Sequence, residues 1–391
     1  MIHRLTDHLR AHWSAIVGDS LPEPSAIHLM KFGTVVDFPR KYVYLYAFLD
    51  GDREPSLVLK ITADRAAQAQ LVREYDLLNR IRARVTEEIA ASIPAALAGL
   101  PFGRYWVGVE EAAGGRRFLP FIDLRRPPER RRVEPYLDRV TSWLIAFGRC
   151  GGGRQEFDGE LYRQAAVEPI ARLRSYYDLD GTELTYLEEL TRRLEEHRGR
   201  PVMAVASHGD LWPGNIYVHQ GRLRIIDWPD FRLLDASYHD LWNFIDSLVL
   251  RRGSARERLD VGGRDPAAHA LFGVPERGRW FDRLVRGMVE RYVHTLELDA
   301  ELVRLMLPMY YVTMATRREP VNESSVAINH KFRGLLAAYV RLATQGGRFG
   351  LPGPWGPSTG GGRIDPDPDG EETGGDEAAG RRIAESVPND G

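Results

Sequence analysis

Asp210, Asn215 and Asp227 lie within His208-Gly209-Asp210-Leu211-Trp212-Pro213-Gly214-Asn215 and Ile226-Asp227-Trp228. Phosphoryl transfer asks for such a set: one carboxylate to take the proton of an acceptor hydroxyl, and an amide with a second carboxylate to hold Mg²⁺. Asp210 is the candidate base, and Asn215 and Asp227 are the candidate metal ligands. Magnesium favours hard oxygen donors, keeps several waters and shares the rest of its shell with phosphates, so one amide oxygen and one carboxylate suffice. Taken singly, each residue has a plainer explanation: Asp210 a cap, Asn215 a turn residue, Asp227 the end of a strand. The combined pattern favours the chemistry. His208 reads as a residue that holds backbone rather than one that reacts.

A second constellation precedes it. Of the 53 basic residues only Lys31, Lys41, Lys60 and Lys331 are lysines, so each surviving lysine invites a reason. Lys60 follows Val58-Leu59 in a strand-like run. In the helix expected after it, Leu71, Glu74, Tyr75 and Leu78 share one face. Glu74 therefore points toward the sheet, where an unpaired carboxylate is costly, and Lys60 is the obvious cation. The alternative is a helix-edge Glu and a solvated Lys. Asp76 is rotated off that face and does not compete.

These residues need elements to position them. Runs at 29–33, 41–49 and 56–62 read as strands, with a helix over 64–84 and two more strands near 93–97 and 105–111. Ala112-Ala113-Gly114-Gly115 suits a hinge. Helices are expected at 133–148, 156–176, 181–197, 239–250, 279–297, 299–317 and 330–344. Asn215–Val218 and Leu223–Ile226 read as a hairpin around Gln220-Gly221. In that register Val218 faces Leu223 and Asn215 faces Ile226, which brings Asp227 beside Asn215. Gln-Gly is a weaker type I′ signal than Asn-Gly, so a register one residue off stays open. From about Gln345 the chain is rich in Gly, Pro, Asp and Glu and reads as a disordered acidic tail.

"HGDLWPGNI" followed by "IDW" resembles the aminoglycoside phosphotransferase and choline kinase family, sharply over 205–242 and in layout over 25–340. The resemblance implies an α+β, bilobal protein-kinase-like fold. Residues 1–113, including an N-terminal helix, would form a nucleotide-binding lobe, 114–344 a helical catalytic and acceptor-binding lobe, and 345–391 the tail. It also implies ATP and Mg²⁺ as cofactors, with Lys60 reaching the α- and β-phosphates. The nucleotide's base would lie against Val109–Ala113, through backbone groups at Glu111 and Ala113. Lys31–Asp37, the expected phosphate-covering loop, has one glycine where protein kinases have a glycine-rich run. Asp240, in Tyr238-His239-Asp240-Leu241, would cap the next helix and brace the catalytic loop.

Composition sets the limits. The net charge of −2 and pI near 6.6 give no case for a nucleic-acid or anionic-membrane partner. A single cysteine, Cys150, excludes an intrachain disulfide and a cysteine zinc cluster and suits a cytoplasmic setting. No run is long and apolar enough to span a membrane. The expected partner is a small hydroxyl acceptor: a sugar, amino sugar, amino alcohol or aminoglycoside. A polycationic acceptor would need an acidic groove, to which Asp230, Asp235 and Asp246 could contribute. Trp212, Trp228, Tyr238, Trp242 and Phe244 could stack on a sugar or enclose an amine, but core packing is favoured. Arg125–Arg132 reads as a solvated loop. A catalytically silent, nucleotide-binding pseudokinase is the rival. A Ser/Thr protein kinase is disfavoured by His-Gly-Asp and Asp-Trp in place of His-Arg-Asp and Asp-Phe-Gly.

Overall fold

The computed structural model describes residues 2–18, 21–37, 40–118, 130–228, 230–250, 280–317 and 323–345. They fall in one compact unit, Met1–Pro354; the second unit, Trp355–Gly391, and with it the expected tail, lies outside the described residues.

Two short helices, α1 (Ile2–Ala11) and α2 (Trp13–Val17), lead into an antiparallel sheet. Its strands are β1 (Ile27–Asp37), β2 (Arg40–Leu49), β3 (Leu57–Thr62), β4 (Ala96–Phe102) and β5 (Tyr105–Glu111), in the order β1-β2-β3-β5-β4. One face carries Leu45, Ala47, Leu57, Leu59, Ile61, Val107 and Val109 into a core shared with Leu5, Leu9 and Trp13 of the leading helices. The stretch expected to form a phosphate-covering loop, Lys31–Asp37, instead continues β1, with a bulge between Lys31 and Gly33. The strand expected near 93–97 starts only at Ala96.

Helix α3 (Arg65–Arg84) packs against this sheet. Asp64 starts it by accepting Ala67 N–H at 2.7 Å, a side-chain cap for an otherwise orphan donor. Leu71, Glu74, Tyr75 and Leu78 are all buried and Asp76 is exposed, as the helical period requires. After the short α4 (Glu87–Ala90), the edge strand β4 and its neighbour β5, the chain passes Gly114 and Gly115, both at positive φ. A Cβ on Gly115 would sit 2.2 Å from Val218 O, so only glycine lets this segment lie against the hairpin described below.

Beyond the two-residue β6 (Arg116–Arg117) the chain is mainly helical. Helix α5 (Arg130–Gly151) is followed by β7 (Gly153–Glu156), α6 (Gly159–Tyr162), α7 (Glu168–Tyr176) and α8 (Gly181–Glu196). The single helix expected over 156–176 is interrupted by a π-turn at Arg163–Val167, just before Pro169, which has no N–H to give the ladder. Next come β8 (Pro201–Ser207), β9 (Ile216–His219), β10 (Arg222–Ile225) and β11 (Arg232–Asp235). Helices α9 (His239–Leu250), α10 (Trp280–Thr295), α11 (Ala300–Ala315) and α12 (Glu323–Gln345) complete the described chain. A three-stranded sheet β11-β8-β7, which the sequence did not announce, carries the segment that leads to Asp210. Most of Arg125–Arg132 lies outside the described residues, and Arg130 opens α5.

Candidate active site

The segment after β8 is held by its backbone. Asp240 accepts N–H donors from His208, Gly209 and Leu211, the last two at 2.9 and 3.3 Å. Burial pushes the Asp240 carboxyl up, and the three donors pull against that. Bracing is therefore its role; the start of α9 is capped instead by Asp235, which accepts His239 N–H at 3.2 Å. Gly209 has φ +84°, and a Cβ there would lie 2.2 Å from Asp230 O, so the glycine of His-Gly-Asp is a steric requirement.

His208 ties this loop to the hairpin. Asp210 N–H donates to Nδ1 at 3.2 Å, which leaves the proton on Nε2, 3.0 Å from the carbonyl of Ile226. The ring lies 4.3 Å from Trp228, and burial lowers its pKa to about 3, so the imidazole is neutral. It holds backbone, as expected.

The hairpin register is the anticipated one. Val218 faces Leu223, and Ile226 N–H donates to Asn215 O at 3.0 Å. Gln220 and Gly221 have φ of 47° and 78°, the two positive values a type I′ turn needs. Asn215 Nδ2 donates to Asp210 O at 3.0 Å and Asp210 Oδ2 at 3.3 Å. With Nδ2 so engaged, Oδ1 is the acceptor end of the amide, suited to a hard cation. Asp227, one residue past Ile226, has φ 67°, an unusual backbone setting for a non-glycine residue. Its surface is exposed at the mouth of the hairpin, yet the protein around it raises its pKa by desolvation; Lys60 pulls it down, while Glu74, Asp210 and Glu110 push it up. Charges from both lobes therefore reach this one carboxylate. Among the described residues no three His, Cys, Asp or Glu side chains form a dedicated metal cage. A shared shell of one amide, one carboxylate and phosphate oxygens is what this donor set fits.

Lys60 Nζ lies 2.8 Å from Glu74 Oε1 and 3.0 Å from Glu110 Oε2, with all three side chains nearly buried. Burial works to lower the lysine pKa, but Glu110 and Glu74 outweigh it and the ammonium stays charged. The Glu74 partnership is the expected one. Glu110 is new: on β5 it sits opposite Val58, diagonal to Lys60. The sequence signal is an acid placed directly after the apolar run Val107-Gly108-Val109.

The neighbouring Glu111 is otherwise engaged. Its Oε1 is 2.8 Å from Arg224 Nη2, its Oε2 accepts Ala95 N–H at 3.3 Å, and its own N–H donates to Ala95 O at 2.9 Å. The Ala113 N–H makes no hydrogen bond among the described residues and remains available.

Arg317, from the segment after α11, was not anticipated at all. Nη1 lies 2.9 Å from Asp210 Oδ1, and Nη2 lies 3.2 Å from Gly209 O and 2.6 Å from Asp230 Oδ2. No motif flags an arginine 107 residues beyond the aspartate it meets.

A family model described as the phosphotransferase enzyme family (APH) matches residues 44–281. The chain belongs to that family. Its small sheet lobe followed by a helical lobe is the protein-kinase-like α+β fold of the group. No curated protein matches it by sequence. Among solved structures, a thermostable mutant of aminoglycoside phosphotransferase APH(4)-Ia is 16% identical, covering 82% of this chain and 96% of that one at a TM-score of 0.49. A putative fructosamine-3-kinase from Thermobifida fusca is 16% identical over 85% and 98%, at 0.47. Choline kinase LicA from Streptococcus pneumoniae is 12% identical over 86% and 100%, at 0.45.

The aromatic residues divide as favoured. Trp228, Tyr238, Trp242 and Phe244 are fully buried, and only Trp212 is half-exposed. The acidic groove does not assemble from its candidates. Asp235 and Asp246 are 3% and 2% exposed, and Asp230 is paired with Arg317. No helix among the described residues is long and apolar enough to cross a membrane.

Proposed function

We propose that the chain is an ATP- and Mg²⁺-dependent kinase that transfers the γ-phosphoryl group to a hydroxyl of a small molecule. The observation that carries this reading is geometric: Asn215 Nδ2 lies 3.3 Å from Asp210 Oδ2, and the bond from Ile226 N–H to Asn215 O sets Asp227 one residue from that pair.

In the proposed reaction Asp210 orients the acceptor hydroxyl and takes its proton as the oxygen attacks the γ-phosphorus. The new O–P bond forms while the bond to the β-bridging oxygen breaks and ADP leaves. Lys60, fixed by Glu74 and Glu110, meets the α- and β-phosphates. Asn215 Oδ1 and the Asp227 carboxylate are the groups that would hold Mg²⁺, whose charge neutralises the phosphate oxygens when bound. The Ala113 N–H is the hinge donor for the base. Catalysis of this kind is mainly positioning and charge neutralisation, so the rigidity given to the loop by Asp240 and His208 is itself functional.

Replacing Asp210 with Ala tests the base. Acceptor phosphorylation, followed as ADP release, should fall by roughly 10²–10⁴-fold, while calorimetric Mg-ATP affinity stays nearly the same. Undiminished turnover would remove Asp210 from the role.

A further inference from the structure

We propose that Arg317 sets the acceptor class: by bridging Asp210 and Asp230 it selects an oxygen-rich, non-cationic hydroxyl compound, such as a neutral polyol or a hydroxy acid, over a polyamine. The inference deepens the kinase reading and rests on it.

The guanidinium is held from three sides. Nη1 meets Asp210 Oδ1 at 2.9 Å, and Nη2 meets Gly209 O at 3.2 Å and Asp230 Oδ2 at 2.6 Å. The grip is nonetheless reachable: side-chain exposure is 24% for Arg317, 27% for Asp210 and 51% for Asp230. A hydroxyl that approaches Asp210 must therefore approach a fixed positive charge hydrogen-bonded to the same carboxylate. An ammonium group in that position meets like charge, and it has no lone pair to offer the guanidinium's N–H groups. A hydroxyl or carboxylate oxygen can accept from them.

The acids that might compensate are committed elsewhere. Asp230 is ion-paired with Arg317 itself. Asp235 is buried, accepting from Ser237 Oγ at 2.6 Å and from His239 N–H. Asp246 is buried beside the Tyr311 hydroxyl at 3.5 Å. Two residues from Asp230, Arg232 adds a half-exposed guanidinium 4.0 Å from Asp235. Among the described residues, the three acids that a polycation could have used are thus paired or buried, and the base shares its own carboxylate with a guanidinium. The guanidinium also has a positioning role. Arg317 on Oδ1 and Asn215 Nδ2 on Oδ2 both help to orient the Asp210 carboxylate.

The test uses the full chain with Mg-ATP and four acceptor groups: neutral sugars and polyols, sugar acids and hydroxy acids, amino sugars, and kanamycin. The best kcat/KM should come from the first two groups, at least roughly tenfold above any amine-bearing compound. Arg317→Gln should shrink that ratio by roughly tenfold and lower kcat, with KM for Mg-ATP unchanged. Arg317→Lys, which keeps the charge and loses the fork, should preserve the ratio while kcat falls. In parallel, kanamycin is titrated calorimetrically into the chain loaded with Mg-AMP-PNP, and should bind Arg317→Gln at least roughly tenfold more tightly than the wild type. Kanamycin or an amino sugar emerging as the best acceptor overturns the inference and leaves the kinase reading intact. So does an Arg317→Gln chain with unaltered ratio and kanamycin affinity. Phosphate transfer to no compound, despite Mg-ATP binding, instead removes the kinase reading, and the kanamycin titration still decides what Arg317 does.

Discussion

Lys60 and Arg317 are each gripped by two carboxylates, one set in the sheet region and one around the Asp210 segment, and they differ in their access to water. Lys60, Glu74 and Glu110 are all nearly buried, whereas Arg317, Asp210 and Asp230 are partly open. The difference separates two uses of the same charge pattern. A buried clamp fixes one side chain in one place, because any departure strands an unpaired charge in low dielectric. An exposed clamp holds its members in a geometry that an incoming ligand can compete for, because water can replace each contact.

The largest effect should come from breaking the buried clamp. Lys60→Met removes the cation between Glu74 and Glu110 and should cost about 3–5 kcal/mol, the penalty for stranding buried charge. Arg317→Gln, the matching change at the open clamp, should cost about 1 kcal/mol or less. Urea unfolding of both variants at neutral pH measures the contrast. Similar losses would erase the distinction between the two clamps.

A second, intermediate effect concerns what lies beneath the open clamp. His208 is fully buried and neutral, with its pKa lowered to about 3. Between its ordinary value near 6.5 and that folded value, the unfolded chain binds a proton that the folded one does not. Its contribution therefore weakens as pH falls through that window, by about 1.4 kcal/mol per unit. Burial depresses His239 too, so it acts in the same sense, while the raised carboxyls of Asp227 and Asp240 act in the opposite one. The informative quantity is thus the difference between wild type and His208→Asn. Their gap in unfolding free energy should narrow by about 2 kcal/mol between pH 6.5 and pH 5. A gap that is constant with pH would mean that the imidazole takes up its proton without leaving its place under Asp210.

The same contrast explains what could be read in the sequence. Lys60 and Glu74 are 14 residues apart, and a strand followed by an amphipathic helix is enough to aim one at the other. The hairpin register was legible for a similar reason, since side-chain alternation and a two-residue turn fix it locally. Glu110 joins Lys60 through sheet pairing between β3 and β5, which depends on strand order rather than on any local period. Arg317 reaches Asp210 only after the helices between them have packed, so no window of sequence contains that contact. Asp240 shows a mixed outcome: the loop it braces was foreseeable, but the capping belongs to Asp235, whose role depends on where the turn before α9 falls. The pairing of the Glu111 carboxylate with Arg224 likewise depends on how separate strands pack and not on any local period.

The smallest effect, and the sharpest test of the open clamp, is Asp230→Asn. The substitution keeps the shape and removes one of the two charges on Arg317, at a side chain that is half exposed. Stability should change by no more than about 1 kcal/mol, because water already screens much of this attraction. Even that change should shrink further when salt rises from about 0.1 M to 1 M, where the screening length falls from roughly 10 Å to 3 Å. The buried clamp should show no such salt response when Lys60→Met is measured in the same two buffers. If Asp230 only balances charge, salt should also restore the variant's turnover toward wild type. If instead it anchors the guanidinium in the plane that meets Asp210, salt will not replace a lost directional contact, and kcat will stay low while KM for Mg-ATP is unchanged.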